Sequence, residues 1–302
     1  MRAIAAIRTN RWAEEEERLL AALRPAFGED MAVVFHDRPA DLAPPLPVVE
    51  IGTDWVTGSG LAAVPDWGWR CGDYFYYALR AARPGYDHYW LIEPDVHFTS
   101  AADGFFRRFT ATTADVLAYD LGPFTRDIRF TRGLPGLRHY QAIFAMTRFS
   151  GRALDRLFAA RRDLARQPVS LRNYPNDEIF CFSNVMNDPE LDCRRLEEFA
   201  GDWFENSQFT PDPDLLFDLV AAAAAPGKVM HPVRARETFL RALGKRLSAN
   251  TGILGPMADS IEALSADDVE RVAQISAENV RAALHAVRRQ RARARRREAK
   301  SA

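Results

Sequence analysis

Two acids one residue apart, Glu93 and Asp95, close a short apolar run, Tyr89-Trp90-Leu91-Ile92, with Pro94 between them. A brief aromatic and β-branched run followed by proline reads as a buried strand running out into a turn. In open α/β sheets that carboxyl end is where ligands bind. Two carboxylates held there repel each other, and a divalent cation relieves the repulsion by taking oxygen ligands from both. Such a cation can in turn grip a diphosphate. The same acid-x-acid pattern occurs in solvated turns, so its surroundings decide between the two.

Three further segments carry suitable chemistry. Trp67-Gly68-Trp69-Arg70-Cys71-Gly72-Asp73 precedes the acid pair. Its Arg70 and Asp73 could hold a phosphate and a ribose or base edge, or could pack a helix start whose following tyrosines are core. Asn176-Asp177-Glu178 leads into the apolar Ile179–Phe182. Acids at the head of a helix are favoured by its dipole, and they are also a means of pointing a general base into a cleft. His231 ends an apolar pair beside Pro232. Imidazole is a common metal ligand and equally a structural residue.

The elements that must position these residues alternate. Ala3–Ile7, Met31–Phe35, Val48–Ile51, Tyr89–Ile92, Val116–Tyr119 and Tyr140–Thr147 read as strands. Between them, Ala13–Arg24 has Leu19, Leu20 and Leu23 on one helical face, and Trp67–Arg83 reads as largely helical. Ser100 with Asp103 reads as a capping box opening a short helix, and Ser150 as the cap of a helix carrying Leu154, Leu157, Phe158 and Leu164. Pro39–Pro47 is a loop. Such alternation specifies an α/β fold, a mostly parallel sheet flanked by helices. Ala221–Ala225 reads as a helix end and Val229–His231 as a last short strand. After Arg234 only helical periodicity remains, broken at Gly244, Gly252 and Gly255-Pro256, with Ser265 and Asp268 opening one helix and a further segment starting near Ser276. The expected division is an α/β domain over 1–234 and a helical C-terminal extension over 235–302.

Composition narrows the class. With 302 residues, 47% hydrophobic and 27% charged, the chain is that of an ordinary globular protein. No apolar run reaches the roughly 18–20 residues that span a bilayer. The opening Met1–Ile7 lacks an apolar core of signal length, and three scattered cysteines form no metal-type pair. These features point to a cytoplasmic protein with reduced thiols. The net charge of −1 hides an asymmetry: residues 288–300 hold eight bases and one acid, leaving 32 bases and 40 acids elsewhere. A basic run can meet an anionic membrane surface or nucleic acid. No aromatic residue interleaves with it, so no nucleic-acid partner is expected. Peripheral contact with the inner face of a membrane, or self-association, would run through the C-terminal helices.

Taken in order, these segments resemble the GT-A glycosyltransferases over roughly residues 1–234. The likeness is sharpest at Gly85-Tyr86-Asp87-His88-Tyr89-Trp90-Leu91-Ile92-Glu93-Pro94-Asp95-Val96-His97-Phe98, which is similar to the Tyr-Trp-x-Ile-Glu-x-Asp-Val segment of a poorly characterised subgroup. The resemblance implies a GT-A-like, Rossmann-like sheet and a transferase taking a sugar from a nucleoside-diphosphate sugar. The acceptor would be a hydroxyl on a glycan, lipid or small molecule. It implies Mn²⁺ or Mg²⁺ as cofactor, held by Asp95 first, then Glu93, with His231 as third ligand. Asp177 or Glu178 would be the catalytic base of an inverting reaction. Arg8, Arg70 and Asp73 would lie near the nucleotide, and Glu93, where many families carry Asp, could also hydrogen-bond a ribose.

Three alternatives compete. A nucleotidyltransferase would favour a basic glycine-rich segment after the first strand, and Arg8–Trp12 contains no glycine. A phosphohydrolase with a carboxylate nucleophile would place an aspartate first, and nearer the N-terminus. A catalytically degenerate domain would keep the fold and bind a partner through its helical tail.

Overall fold

Burial alternates along the strand β1 (Ala3–Thr9): Ile4 and Ala6 enter one apolar cluster, Ala5 and Ile7 the other. A strand apolar on both sides needs cover on both faces, and the computed structural model provides it. The structure describes residues 2–205, 207–247 and 257–301. It divides into two compact units, Met1–Pro211 with Ala225–His231, and Asp212–Ala224 with Pro232–Ala302.

The first unit is built on a seven-stranded sheet. After β1 come β2 (Met31–His36), β3 (Val48–Ile51), β4 (His88–Ile92), the outlying β5 (His97–Phe98), β6 (Val116–Pro123), β7 (Tyr140–Ser150) and β8 (Cys193–Arg195). The sheet order is β3-β2-β1-β4-β7-β6-β8. β7 runs antiparallel to both neighbours, and every other pairing is parallel. The sheet is therefore mostly parallel, as the alternation of the sequence requires.

Helices close both faces. One cluster draws on α4 (Asp73–Ala82), α6 (Gly151–Ala165) and α7 (Asp177–Met186). The other draws on α1 (Glu14–Phe27), α5 (Asp103–Phe106) and α8 (Glu197–Ala200). The short α2 (Thr53–Gly58) and α3 (Trp67–Arg70) precede α4. Ser150 caps α6, its hydroxyl accepting from the Ala153 amide at 3.0 Å.

Two local expectations are corrected here. Trp67–Arg83 is not one helix: the chain breaks at Cys71-Gly72 between α3 and α4. Ser100 does not cap α5, whose cap position is Ala102; its hydroxyl accepts from the Gly227 amide at 3.1 Å instead.

The second unit contains β9 (Leu215–Leu216), α9 (Phe217–Ala223), β11 (Val233–Arg234), α10 (Arg236–Leu247), α11 (Ala258–Glu262) and α12 (Ala266–Ser301); β10 (Val229–Met230) belongs to the first. Gly244 does not end a helix. It lies inside α10, where a Cβ would come within 2.7 Å of Ile275 Cγ2, so its smallness lets α10 and α12 approach. Ser265 caps α12, accepting from the Asp268 amide at 3.2 Å while the Asp268 carboxylate accepts from the Ser265 amide. α12 continues unbroken past Ser276. The breaks expected at Gly252 and Gly255-Pro256 lie outside the described residues. No helix among the described residues is long and apolar enough to cross a membrane.

Candidate metal centre

Parallel pairing of β1 with β4 sets Ile7 beside Ile92, so Arg8, still in β1, and Glu93, just past β4, lie side by side. Arg8 Nη1 donates to Glu93 Oε1 at 2.9 Å. The turn after β4 is closed by the Val96 amide donating to the Glu93 carbonyl, and the Glu93 amide is held by the Ala145 carbonyl of β7. Both side chains of the pair, Glu93 and Asp95, stay partly exposed at this edge.

His231 reaches them from a distance of more than a hundred residues through two short strands. β10 pairs antiparallel with β5, Met230 opposite His97, which sets His231 next to Asp95. Its Nε2 lies 3.5 Å from Asp95 Oδ1 and 3.9 Å from Glu93 Oε2. One donor atom from each of the three residues lies within 4.8 Å of the others. Nδ1 sits 2.9 Å from the Thr210 carbonyl. That carbonyl can only accept, so the hydrogen bond assigns a proton to Nδ1 and turns Nε2 toward the acids. Burial works against protonation of His231, but the charges of Asp95 and Glu93 outweigh it and raise its pKa. The site therefore favours positive charge where the imidazole meets the carboxylates.

The donor set fits a divalent cation. Two carboxylate oxygens suit Mg²⁺ or Mn²⁺, and the imidazole nitrogen is a softer ligand that Mn²⁺ accepts more readily. Arg8 occupies Oε1 of Glu93 and leaves Oε2 toward His231, so Glu93 would ligate through one oxygen.

Asp177 and Glu178 open α7 behind the Asn176 cap, whose Oδ1 accepts from the Ile179 amide. Asp177 is the anchored member. Its Oδ2 accepts from the Gly72 amide at 2.8 Å and lies 3.5 Å from Arg8 Nη1, and its Oδ1 accepts from the Glu178 amide. Burial pushes its carboxyl up to about 8, with Arg8 opposing. The Glu178 carboxylate accepts weakly from Asn176 Nδ2 at 3.4 Å and from the backbone of Phe144. Its carboxyl is pushed up to about 7, first by burial and next by the negative charge of Glu93. Arg8 thus joins Glu93 to Asp177, and Glu178 feels both Glu93 and His231.

Arg70 and Asp73 are not brought into this cluster. Asp73, 1% exposed, meets the wholly buried Arg161 through two hydrogen bonds of 2.9 and 2.7 Å. Arg70 donates to the carbonyls of Leu171 and Tyr174, and Arg161 to that of Pro175. Together the two arginines fix the strand of chain that delivers Asp177 and Glu178. Sequence reading missed Arg161. Its signal was its spacing: Leu154, Leu157, Arg161 and Leu164 share one helical stripe, and an arginine on an apolar stripe must have a buried partner. Gly72 was missed as well. A Cβ there would lie 2.3 Å from Arg8 Nη1, 2.5 Å from Asp177 Oδ2 and 2.8 Å from Phe144 Cε1, so only glycine leaves room for the network.

No protein-family model matches the chain, and no curated protein matches it. Among solved structures it is similar to a mannose-1-phosphate geranyltransferase from Thermus thermophilus, at 11% identity over 72% of this chain and 82% of that chain, TM-score 0.37. It is also similar to the inositol-1-phosphate CTP transferase from T. maritima, at 8% identity over 65% of this chain and 85% of that one, TM-score 0.37. At such scores neither likeness carries an argument about function, and the fold stands on the sheet described above.

Proposed function

We propose that this chain is a divalent-metal-dependent glycosyltransferase that moves a sugar from a nucleoside-diphosphate sugar to an acceptor hydroxyl. One observation carries the reading: Glu93, Asp95 and His231 converge at the carboxyl edge of β4, with a carboxyl near neutral pKa, Glu178, facing them. On this reading Asp95 Oδ1, Glu93 Oε2 and His231 Nε2 hold Mn²⁺ or Mg²⁺. The bound cation supplies neutralisation of the diphosphate as its bridging oxygen gains charge.

The chain's own residues do the rest. Arg8 fixes the orientation of Glu93 and screens it from Asp177. Glu178, ionised in about half of molecules at pH 7 given its pKa of about 7, takes the acceptor's hydroxyl proton. The acceptor oxygen bonds to the anomeric carbon as the bond to the diphosphate breaks, with inversion, and the nucleoside diphosphate leaves.

Nucleotidyl transfer is the second reading. Against it, the segment after β1 has no glycine and is closed on itself, Thr9 Oγ1 donating to Glu16 at 2.6 Å. A thermal-shift screen of nucleoside diphosphates with and without Mn²⁺ tests the proposal. A Mn²⁺-dependent shift that Asp95→Ala removes is expected. Pyrophosphate release from a nucleoside triphosphate and a sugar 1-phosphate would establish the second reading, and the absence of any metal-dependent nucleotide binding would sink both.

A further inference from the structure

The loop between β6 and β7 (124–139) and the loop before α7 (166–173) carry six arginines and one aspartate, in a body that is otherwise acidic. The loops lie against each other. A Cβ on Gly133 would come within 2.5 Å of the Asn173 carbonyl and 2.7 Å of Pro175 Cδ. Arg70 ties them together, donating to Leu171 while its guanidinium lies 5.3 Å from the Phe130 ring.

Two of the arginines are neutralised locally, Arg132 by Asp127 and Arg166 by Asp163. The other four, Arg126, Arg129, Arg138 and Arg172, are exposed and make no ion pair among the described residues. Three of them are braced on rings, Arg126 over Phe124 at 5.1 Å, Arg129 over Phe130 at 4.5 Å and Arg138 over Tyr140 at 5.3 Å. Their guanidinium groups lie over these rings while the residues as a whole stay exposed. Beside them stand the two large apolar side chains most open to solvent in the first unit, Trp69 at 68% and Leu171 at 53%. Trp69 is joined to the acid cluster through its carbonyl, which accepts from Arg8 at 3.2 Å.

We propose that this face docks on an anionic lipid bilayer. Unpaired arginines supply attraction to acidic headgroups, and an exposed indole with a leucine supplies the shallow apolar insertion that an interface rewards. The exposed leucine sets this face apart from a polyanion-binding one, where stacking rings and cations serve and an aliphatic side chain does not. Docking does not depend on the reading of the metal centre. If that reading also holds, docking brings Trp69, whose carbonyl is bonded to Arg8 of the acid cluster, to the headgroup layer, and the acceptor hydroxyl is lipid-borne.

The test is co-sedimentation of the full chain with vesicles of neutral phosphatidylcholine, with and without added anionic phosphatidylglycerol. Binding to the anionic vesicles alone is expected, weakening as salt rises. Each arginine near such a surface is worth about fivefold in partition, so Arg126→Gln with Arg129→Gln and Arg172→Gln should lower it about 100-fold. All three residues are exposed, and circular dichroism checks that the variant folds. A blue shift of tryptophan emission on binding, lost in Trp69→Phe, is the second measurement. The proposal is overturned if the triple variant binds like the parent, or if neutralising the arginines of residues 288–297 in the full chain abolishes binding instead. It is equally overturned if heparin is bound as tightly as vesicles with no change in Trp69 emission.

Discussion

Replacing Asp73 with asparagine would keep the shape of the side chain and strand a charge. Arg161 is wholly buried and spends two of its donors on Asp73, with its guanidinium 3.7 Å from the Phe180 ring. Removing one partner of such a pair leaves an uncompensated buried cation, at a cost of about 3–5 kcal/mol. Arg161→Met should cost about as much, because it strands the carboxylate and also frees the Pro175 carbonyl. The double variant strands neither charge, so it should be milder than the two single losses added, with a coupling of about 2–3 kcal/mol. All six tryptophans lie in the first unit, so urea unfolding followed by their fluorescence reports that unit alone. Strict additivity of the two substitutions, or a loss below about 1 kcal/mol for Asp73→Asn, would refute the assignment of this pair as a structural clamp.

Gly72→Ala should destabilise by about 1–3 kcal/mol through overpacking, and should weaken Mn²⁺ binding by pushing Arg8 off Glu93; calorimetric titration with Mn²⁺ reads the second effect. Glu178→Gln should retain Mn²⁺-dependent nucleotide binding and lose sugar transfer by at least about 100-fold, and the parent's rate should fall as pH drops through about 7. A rate flat between pH 6 and 8 (roughly one unit either side,) would remove Glu178 as the base. His88 is buried, and burial followed by the charge of Arg148 lowers its pKa. The unfolded chain therefore binds that proton more readily, and stability should decline as pH falls below about 6.5. Melting temperatures of the parent and His88→Gln across that range should converge toward acid, and parallel curves would contradict it.

Most of the sheet was legible because its longer strands announce themselves locally; β8, only Cys193–Arg195, was missed. Tyr89–Ile92 is apolar, short and stopped by a proline, and Leu154, Leu157 and Leu164 mark α6 by period alone. The acid pair was legible for the same reason, its place at a strand end following from the run before it. What local pattern cannot carry is pairing across the chain. Asp73 belongs to Arg161, eighty-eight residues on, and a sequence shows only that each is charged. β5 and β10 are two residues each, too short for periodicity, and their pairing, with the bridge of His231 to Phe209, carries His231 to Asp95. Ser100 and Gly244 misled because a hydroxyl and a missing side chain each serve more than one purpose, and tertiary packing chose the other one.

The third donor of the acid cluster has a consequence for synthesis. The chain leaves the first unit after Pro211 and rejoins it only for Ala225–His231. A ribosome delivers Glu93 and Asp95 first, then β6, β7 and β8 to complete the sheet, and the imidazole last, more than a hundred codons after the acids. At about 5–20 residues per second, the completed sheet waits a few seconds for its last neighbour. The cluster of Glu93, Asp95 and His231 is therefore completed in one late step, when seven residues come back to close that edge.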